Sequence, residues 1–327
     1  MPQYLGLAKE TTFGQYVSPN RWFNIRTESI KLEKETIREL TIAHRVPTVL
    51  GKPVYKVTGG FETVVEPKYI GALLEACLGS VTTTSDGGTP PRYKHEFTPS
   101  ETLPSLSIEV GATQPNIVKK CSGVGVKSME FDFAPTEIVT CSVDIVGKQL
   151  ESATTLSTPS FSNLNPFVST LTGCQVLIDN SVVGYVEALT LRIENTIDED
   201  YFVIGSPTMP RLSIGDLRIT GSMDITVMDT QLFNLFISGS KTSGTPSENI
   251  PSMSLVATLI GDSTGGSGEY AYYTLKFELG EVVITSLEWG LDRRERKVYG
   301  IEFESVKWDL TNKKPIKVTL VNKEATP

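Results

Sequence analysis

Leu103-Pro104-Ser105-Leu106-Ser107-Ile108 reads almost like Ile250-Pro251-Ser252-Met253-Ser254-Leu255, 147 residues later. Further on, Ser128-Met129-Glu130-Phe131 answers Ser286-Leu287-Glu288-Trp289, and Val143-Asp144-Ile145 answers Ile301-Glu302-Phe303, both at an offset of 158. Earlier, Thr36-Ile37 with Glu39 returns as Thr196-Ile197 with Glu199, at an offset of 160. Four matches in one order with compatible offsets indicate an internal duplication. The offset drops at the Pro-Ser motif because Gly79–Thr102 is longer than Gly239–Asn249, and loops absorb insertions more easily than packed elements do. The reading gives a first domain over 1–150, a linker over 151–166 rich in Ser, Thr, Pro and Asn, and a second domain over 167–327.

The elements inside each copy agree. Ile70, Leu73, Leu74, Cys77 and Leu78 fall on one face of a short helix that follows Pro67 and stops at Gly79. The second copy offers Asp229 as N-cap, then Leu232, Leu235 and Phe236, with Gly239 at the end. Met129, Phe131 and Phe133 alternate with Glu130 and Asp132; Leu287, Trp289 and Leu291 alternate with Ser286, Glu288 and Gly290. Such period-two patterns predict strands with one buried face. Ile316, Val318 and Leu320 predict a last strand. The expected fold is mainly β: two tandem β-sandwich or small-barrel domains, each with one short flanking helix.

The bulk numbers narrow the function. A chain of 327 residues with 39% apolar and 21% charged residues can build a core in each half. A net charge of −8 argues against tight phosphate binding, which needs clustered Lys and Arg, but not against DNA sliding past. Cys77, Cys121, Cys141 and Cys174 form no CxxC pair and have no His at ligand spacing, so they read as buried thiols of a reducing cytoplasm. Met1 to Leu5 shows no basic region leading into an apolar run, and no stretch approaches a membrane span, so a soluble protein made in the cytosol is expected.

Nothing here points to catalysis. Gly261-Asp262-Ser263-Thr264-Gly265-Gly266 superficially suggests a serine-protease box, but Thr264 breaks the spacing and only His44 and His95 could serve as base. Asp198-Glu199-Asp200 could bind a hard cation, yet adjacent acids more often form a solvated tip, and the first copy has Arg38 in place of Asp198. No P-loop or Rossmann glycine pattern occurs. No cofactor and no metal is expected.

Each copy also carries a long polar segment, Lys34–Val57 and Glu194–Leu217. Connections of that length tend to be functional, and recurrence at one place favours an arm that reaches a neighbouring subunit over a floppy loop. The arm residues are Ile37, Arg38, Glu39, His44, Arg45, Pro47 and Lys52 in the first copy, and Ile197, Asp198, Glu199, Asp200, Tyr201 and Arg211 in the second. Three other stretches, Thr82–Pro91, Ser238–Glu248 and Gly261–Gly268, are rich in Gly, Ser, Thr and Pro, and mobility is expected there.

Tyr4-Leu5-Gly6-Leu7-Ala8-Lys9-Glu10-Thr11-Thr12-Phe13-Gly14-Gln15 with Val17-Ser18-Pro19 resembles the opening of the phage tail tube proteins. The similarity continues through Ser29-Ile30, Gly59-Gly60-Phe61-Glu62, Phe97-Thr98-Pro99 and the Pro-Ser motif. The resemblance implies a non-enzymatic structural protein of the virion tail, made in the host cytoplasm, whose β-sandwich domains stand six to a ring. Stacked rings would form the conduit for genomic DNA, and a chain with two such domains looks like the duplicated type, with three chains per ring. Strands of adjacent domains would continue into an inner barrel with an acidic lumen, and the arms would dock onto the next ring. The implied partners are further copies of the chain, the tape measure protein, the tail tip and terminator proteins, and DNA passing non-specifically; no membrane is involved. The alternatives are a carbohydrate- or other ligand-binding β-sandwich, or another virion role such as head–tail connection or capsid decoration. The scattering of Trp22, Trp289 and Trp308 speaks against the binding module.

Overall fold

Alternating strands bury one face only if other strands lie beside them, and the pairings show how each half meets that need. The computed structural model describes residues 3–39, 42, 45–46, 49–135, 137–170, 173–181, 185–226, 230–242, 244–246, 248, 250, 252–288, 298–307 and 314–327. The first half holds β1 (Tyr4–Lys9), β2 (Arg21–Phe23), β3 (Ile25–Glu28), β4 (Lys31–Glu35), β5 (Arg38–Glu39), β6 (Val49–Leu50) and β7 (Val54–Val64). After α1 (Ile70–Leu78) come β8 (Gly79–Ser85), β9 (Tyr93–Pro99), β10 (Leu106–Ala112), β11 (Ile117–Phe133), β12 (Thr140–Gly147) and β13 (Gln149–Ala153). The second half holds β14 (Gln175–Ile178), β15 (Tyr185–Ile197), β16 (Ile214–Thr226) and α2 (Gln231–Ser238). It ends with β17 (Ser252–Ser263), β18 (Tyr272–Glu288), β19 (Val298–Lys307) and β20 (Lys317–Asn322). The chain is mainly β, as expected. Glu151–Ala153, at the start of the segment read as linker, extends the first half as part of β13.

The two halves follow one pairing scheme. In the first, β10 lies between β1 and β11, β11 also pairs with β12 and β13, β12 pairs with β7, and β7 with β3 and β4. In the second, β17 lies between β14 and β18, β18 also pairs with β19 and β20, β19 pairs with β16, and β16 with β15. Register repeats as well. Leu106 faces Val124 and Ile108 faces Cys121 across an irregularity; Met253 faces Val282 and Leu255 faces Leu279 across the same one. Met129 faces Val143, and Leu287 faces Ile301. These equivalences carry the offsets of 147 and 158 found between the sequence motifs. Among the described residues the β8–β9 hairpin has no counterpart in the second half, in keeping with the longer Gly79–Thr102 segment.

Both long central strands, β11 and β18, change partners along their length. β11 pairs with β10 and β13 through its first part and with β12 and β15 through its last. The enclosed core is shared: one buried cluster contains Phe131 and Phe133 of the first half and Phe277 of the second. The Phe131 and Phe277 rings meet edge to face at 4.9 Å. α1 is buried on more than one face, and Gly79 ends it with φ +90, where an added Cβ would sit 2.4 Å from the Thr102 carbonyl oxygen. α2 buries Leu232 and Leu235 and ends at Gly239; its N-cap is Thr230, and Asp229 lies outside the described residues. Burial pushes the Cys77 and Cys121 thiols up to about 12, so both stay protonated.

The two sequence motifs of the first copy meet at one carboxylate. Glu10 is buried and accepts hydrogen bonds from the Gly14 and Gly123 N–H groups, each at 2.8 Å, and from the Ser105 and Ser107 hydroxyls at 2.7 and 2.8 Å. The Glu-Thr-Thr-aromatic-Gly turn and the Pro-Ser strand entry are therefore one structural unit. In the second half Asp179 holds Ser254, the counterpart of Ser107, by its N–H at 2.7 Å and its hydroxyl at 3.3 Å. Glu10→Gln replaces one acceptor oxygen with a donor and leaves a buried backbone N–H unpaired. The expected cost is about 2 kcal/mol in a denaturant titration.

Two of the stretches expected to be mobile are ordered. Thr82–Ser85 lies in β8, and Gly261–Ser263 in β17. The Asp86 carboxylate, held at about 2 by the Arg92 and Gly88 N–H groups and the Arg92 guanidinium, closes the hairpin tip. Arg92 also donates to the Thr264 and Gly265 carbonyls at 3.4 and 2.7 Å, tying both loops together. Their Gly and Ser content signals tight turns here. Ser238 at the start of the third stretch is buried and donates to the Asn234 carbonyl at 2.9 Å.

The C-terminal strand crosses to the first half. β20 lies between β18 and β9, and His95 of β9 is fully buried behind it. His95 Nε2 donates to the Asn322 side-chain oxygen at 3.1 Å and the Glu324 carbonyl at 3.0 Å, while Nδ1 accepts from Thr83 at 2.8 Å. Burial lowers the His95 pKa despite these partners and the Glu75 charge. The stability held by neutral His95 is therefore complete above the unfolded value of about 6.5 and is lost as pH falls below it. A urea midpoint that falls between pH 7.5 and 5.5, and falls less in His95→Gln, is the expected result.

Candidate functional site

The geometry of interest lies at the strand edges, in the two long polar segments and on the solvent-facing sheet. The halves join edge to edge where β11 pairs with β15: Ser128 faces Glu194, Met129 faces Ile193 and Glu130 faces Arg192. The joint is apolar within and charged without. Met129 and Ile193 are fully buried, and outside them Arg192 reaches Glu130 at 3.0 Å, Glu194 at 3.4 Å and Asp144 at 3.9 Å. Asn195 fastens the same joint from below. Its side-chain N–H group donates to the Cys77 carbonyl at 2.9 Å, satisfying the last turn of α1, and to the Val126 carbonyl at 3.2 Å.

The two arms behave differently. The second folds back onto the first half. Glu199 bridges Lys127 at 2.6 Å and Lys56 at 3.4 Å, and Asp200 reaches Lys56 at 2.7 Å. Burial alone would lower the Lys56 pKa, but Asp200 and Glu199 outweigh it and raise it. The Pro207 carbonyl accepts the Tyr55 N–H at 2.9 Å, and Ile197 and Met209 pack with Val146, Phe13 and Leu212. Asp198 accepts the Asp200 N–H at 3.0 Å, and Arg211 lies over the Tyr201 ring at 6.0 Å. The acidic triplet thus serves lysines of the first half. Among the described residues no group of three or more His, Cys, Asp or Glu side chains is placed to hold a metal ion.

The first arm extends the β4–β7 hairpin into a separate two-stranded sheet, with Arg38 facing Leu50 and Glu39 facing Val49. Ile37 is 62% exposed and Val46 65%; Arg38, Glu39, Arg45 and Lys52 are exposed too. Two apolar side chains are thus held out in water on this hairpin. His44 and Pro47 lie outside the described residues, as do Trp289 and Trp308.

Sequence reasoning missed Lys56, Lys127, Arg192 and Asn195. The only signal was a cation or amide on the outward period of a strand, which names no partner.

The solvent face of the joined sheet is acidic. One row runs across six strands by direct pairing: Glu62, Ser142, Glu130, Arg192, Thr220 and Glu304. A neighbouring row reads Asp132, Thr190, Ser222, Glu302 and Ser286. These residues are all polar or charged; the pairing runs on to Val283 in the first row and through Thr140 to Val64 in the second. In the first row Glu62 pairs with Arg26, Glu130 with Arg192 and Glu304 with Arg218, so the negative excess lies with Asp132 and Glu302 of the second.

A family model described as phage tail tube protein matches residues 3–289. No curated protein matches the chain.

Proposed function

The chain belongs to the phage tail tube protein family, and from that membership we propose that three copies close into a ring of six like domains, whose rings stack into a channel for phage DNA. The family makes the protein a structural, generally non-enzymatic component of the virion tail that assembles into a tube. The finer reading rests on one observation: the two halves share a strand-pairing scheme and are joined edge to edge, so each chain contains one joint between two like domains. Head-to-tail joints repeated by rotation close a ring, and closure removes the exposed edges that would otherwise aggregate.

Two further features support the assignment. The largely polar, acidic rows suit a channel wall, because like charge repels phosphate and lets the duplex slide. The first arm suits a stacking contact with the next ring. The tape measure, tail tip and terminator proteins are the further partners of such a tube, and the host cytoplasm is its site of synthesis.

Negative-stain microscopy of concentrated purified protein tests the proposal. Rings and long tubes are expected; persistent monomers that bind glycan would instead support a ligand-binding sandwich.

A further inference from the structure

Among the strand edges that pair on one side only in the described residues, two lie on the sheet that carries the joint. β3 and β4 pair with β7 alone, and Ile284–Glu288 of β18 pair with β19 alone. These are the counterparts of the two edges that meet inside the chain. Leu287 corresponds to Met129, since each faces the equivalent residue of the next strand, Ile301 or Val143. On the other side, Phe61 faces Val143 and Met223 faces Ile301, so β7 and β16 are aligned; Leu32 faces Val57, and Ile193 faces Ile219, four residues back in each. Leu32 therefore stands where Ile193 stands.

We infer that the surface joining one chain to the next is the antiparallel meeting of Lys31–Glu33 with Ser286–Glu288 of a second copy, in the register of the joint within the chain. Leu287 then faces Leu32 as Met129 faces Ile193, and Glu288 faces Lys31 as Glu130 faces Arg192. Both the apolar and the charged complementarity of the internal joint are preserved, although the residues differ. Leu32 and Leu287 are half-buried against the core already, placed to be covered. Lys31 is 64% exposed and held only by Glu33 at 2.8 Å, a surface pair of little strength that can yield to Glu288. The in-chain joint also has the β9–β20 pairing, whose hairpin has no counterpart among the described residues of the second half, so the between-chain joint is the weaker and the one at which rings assemble and open.

This inference rests on the proposed ring, and the test separates the two. Lys31→Glu and Glu288→Lys are made singly and together, along with Lys31→Cys/Glu288→Cys, and assembly is followed by sedimentation and microscopy. Each single reversal places like charges opposite one another at every joint, so the concentration needed for assembly is expected to rise about tenfold. The double reversal is expected to restore it, with circular dichroism of the monomers unchanged. Oxidised tubes of the cysteine pair are expected to yield covalent trimers on a denaturing gel. Wild-type protein that never assembles overturns the ring itself. Wild-type tubes with single reversals that assemble normally, a double reversal that fails, or no covalent trimers overturn this joint and leave the ring standing.

Discussion

Replacing Phe277 with alanine is expected to destabilise the whole chain by about 3–5 kcal/mol, the range for truncating a buried phenylalanine in a core that cannot collapse around the gap. Phe277 is fully buried, and its ring meets Phe131 at 4.9 Å and Phe133 at 5.8 Å, both from the other half. The void opens at the contact between the two halves, where β18 is pinned by β17 and β20 and cannot shift inward. One unfolding transition, moved as a unit, is the result expected from calorimetry or denaturant titration. Two transitions, with only the second displaced, would mean that the halves fold on separate cores.

Removing Arg38–Pro53 is expected to have the opposite profile: little change in stability and complete loss of tubes. The described residues of this segment pair with each other in β5 and β6, and Ile37 beside them is 62% exposed, so the sheet loses no core when they go. The remaining strand ends, Glu35 and Val54, already face one another across the β4–β7 hairpin and can be joined by a short turn. A monomer with unchanged β-sheet circular dichroism and no tubes at any reachable concentration is expected. Normal tubes would remove the arm from the assembly mechanism.

Much of the fold was legible because similar motifs recur in the two halves at consistent offsets. The offsets of 147 and 158 between short motifs mark residues that occupy equivalent places in β10 and β17 and in β11 and β18. The alternation of Met129, Phe131 and Phe133 correctly gave a strand buried on one face. The glycines after both helices marked their left-handed ends. What could not be read was which strand lies beside which. The alternating pattern of β15 names its buried face but not β11 as its neighbour, and nothing in Ile316–Leu320 says that β20 crosses to β9 of the first half. For the same reason Glu199 and Asp200 stood out as an acidic run in the second long polar segment, while Lys56 and Lys127, which hold them, did not. The loop readings failed over Thr82–Ser85 because the hairpin there gains its order from that long-range pairing, and Gly-rich composition reports only local freedom.

The number of chains in one ring tests the central claim most directly. Cryo-microscopy of assembled tubes is expected to show rings of three chains, with six similar but alternately distinct domains around the channel. Rings of six chains would contradict the reading of the two halves as fused ring domains.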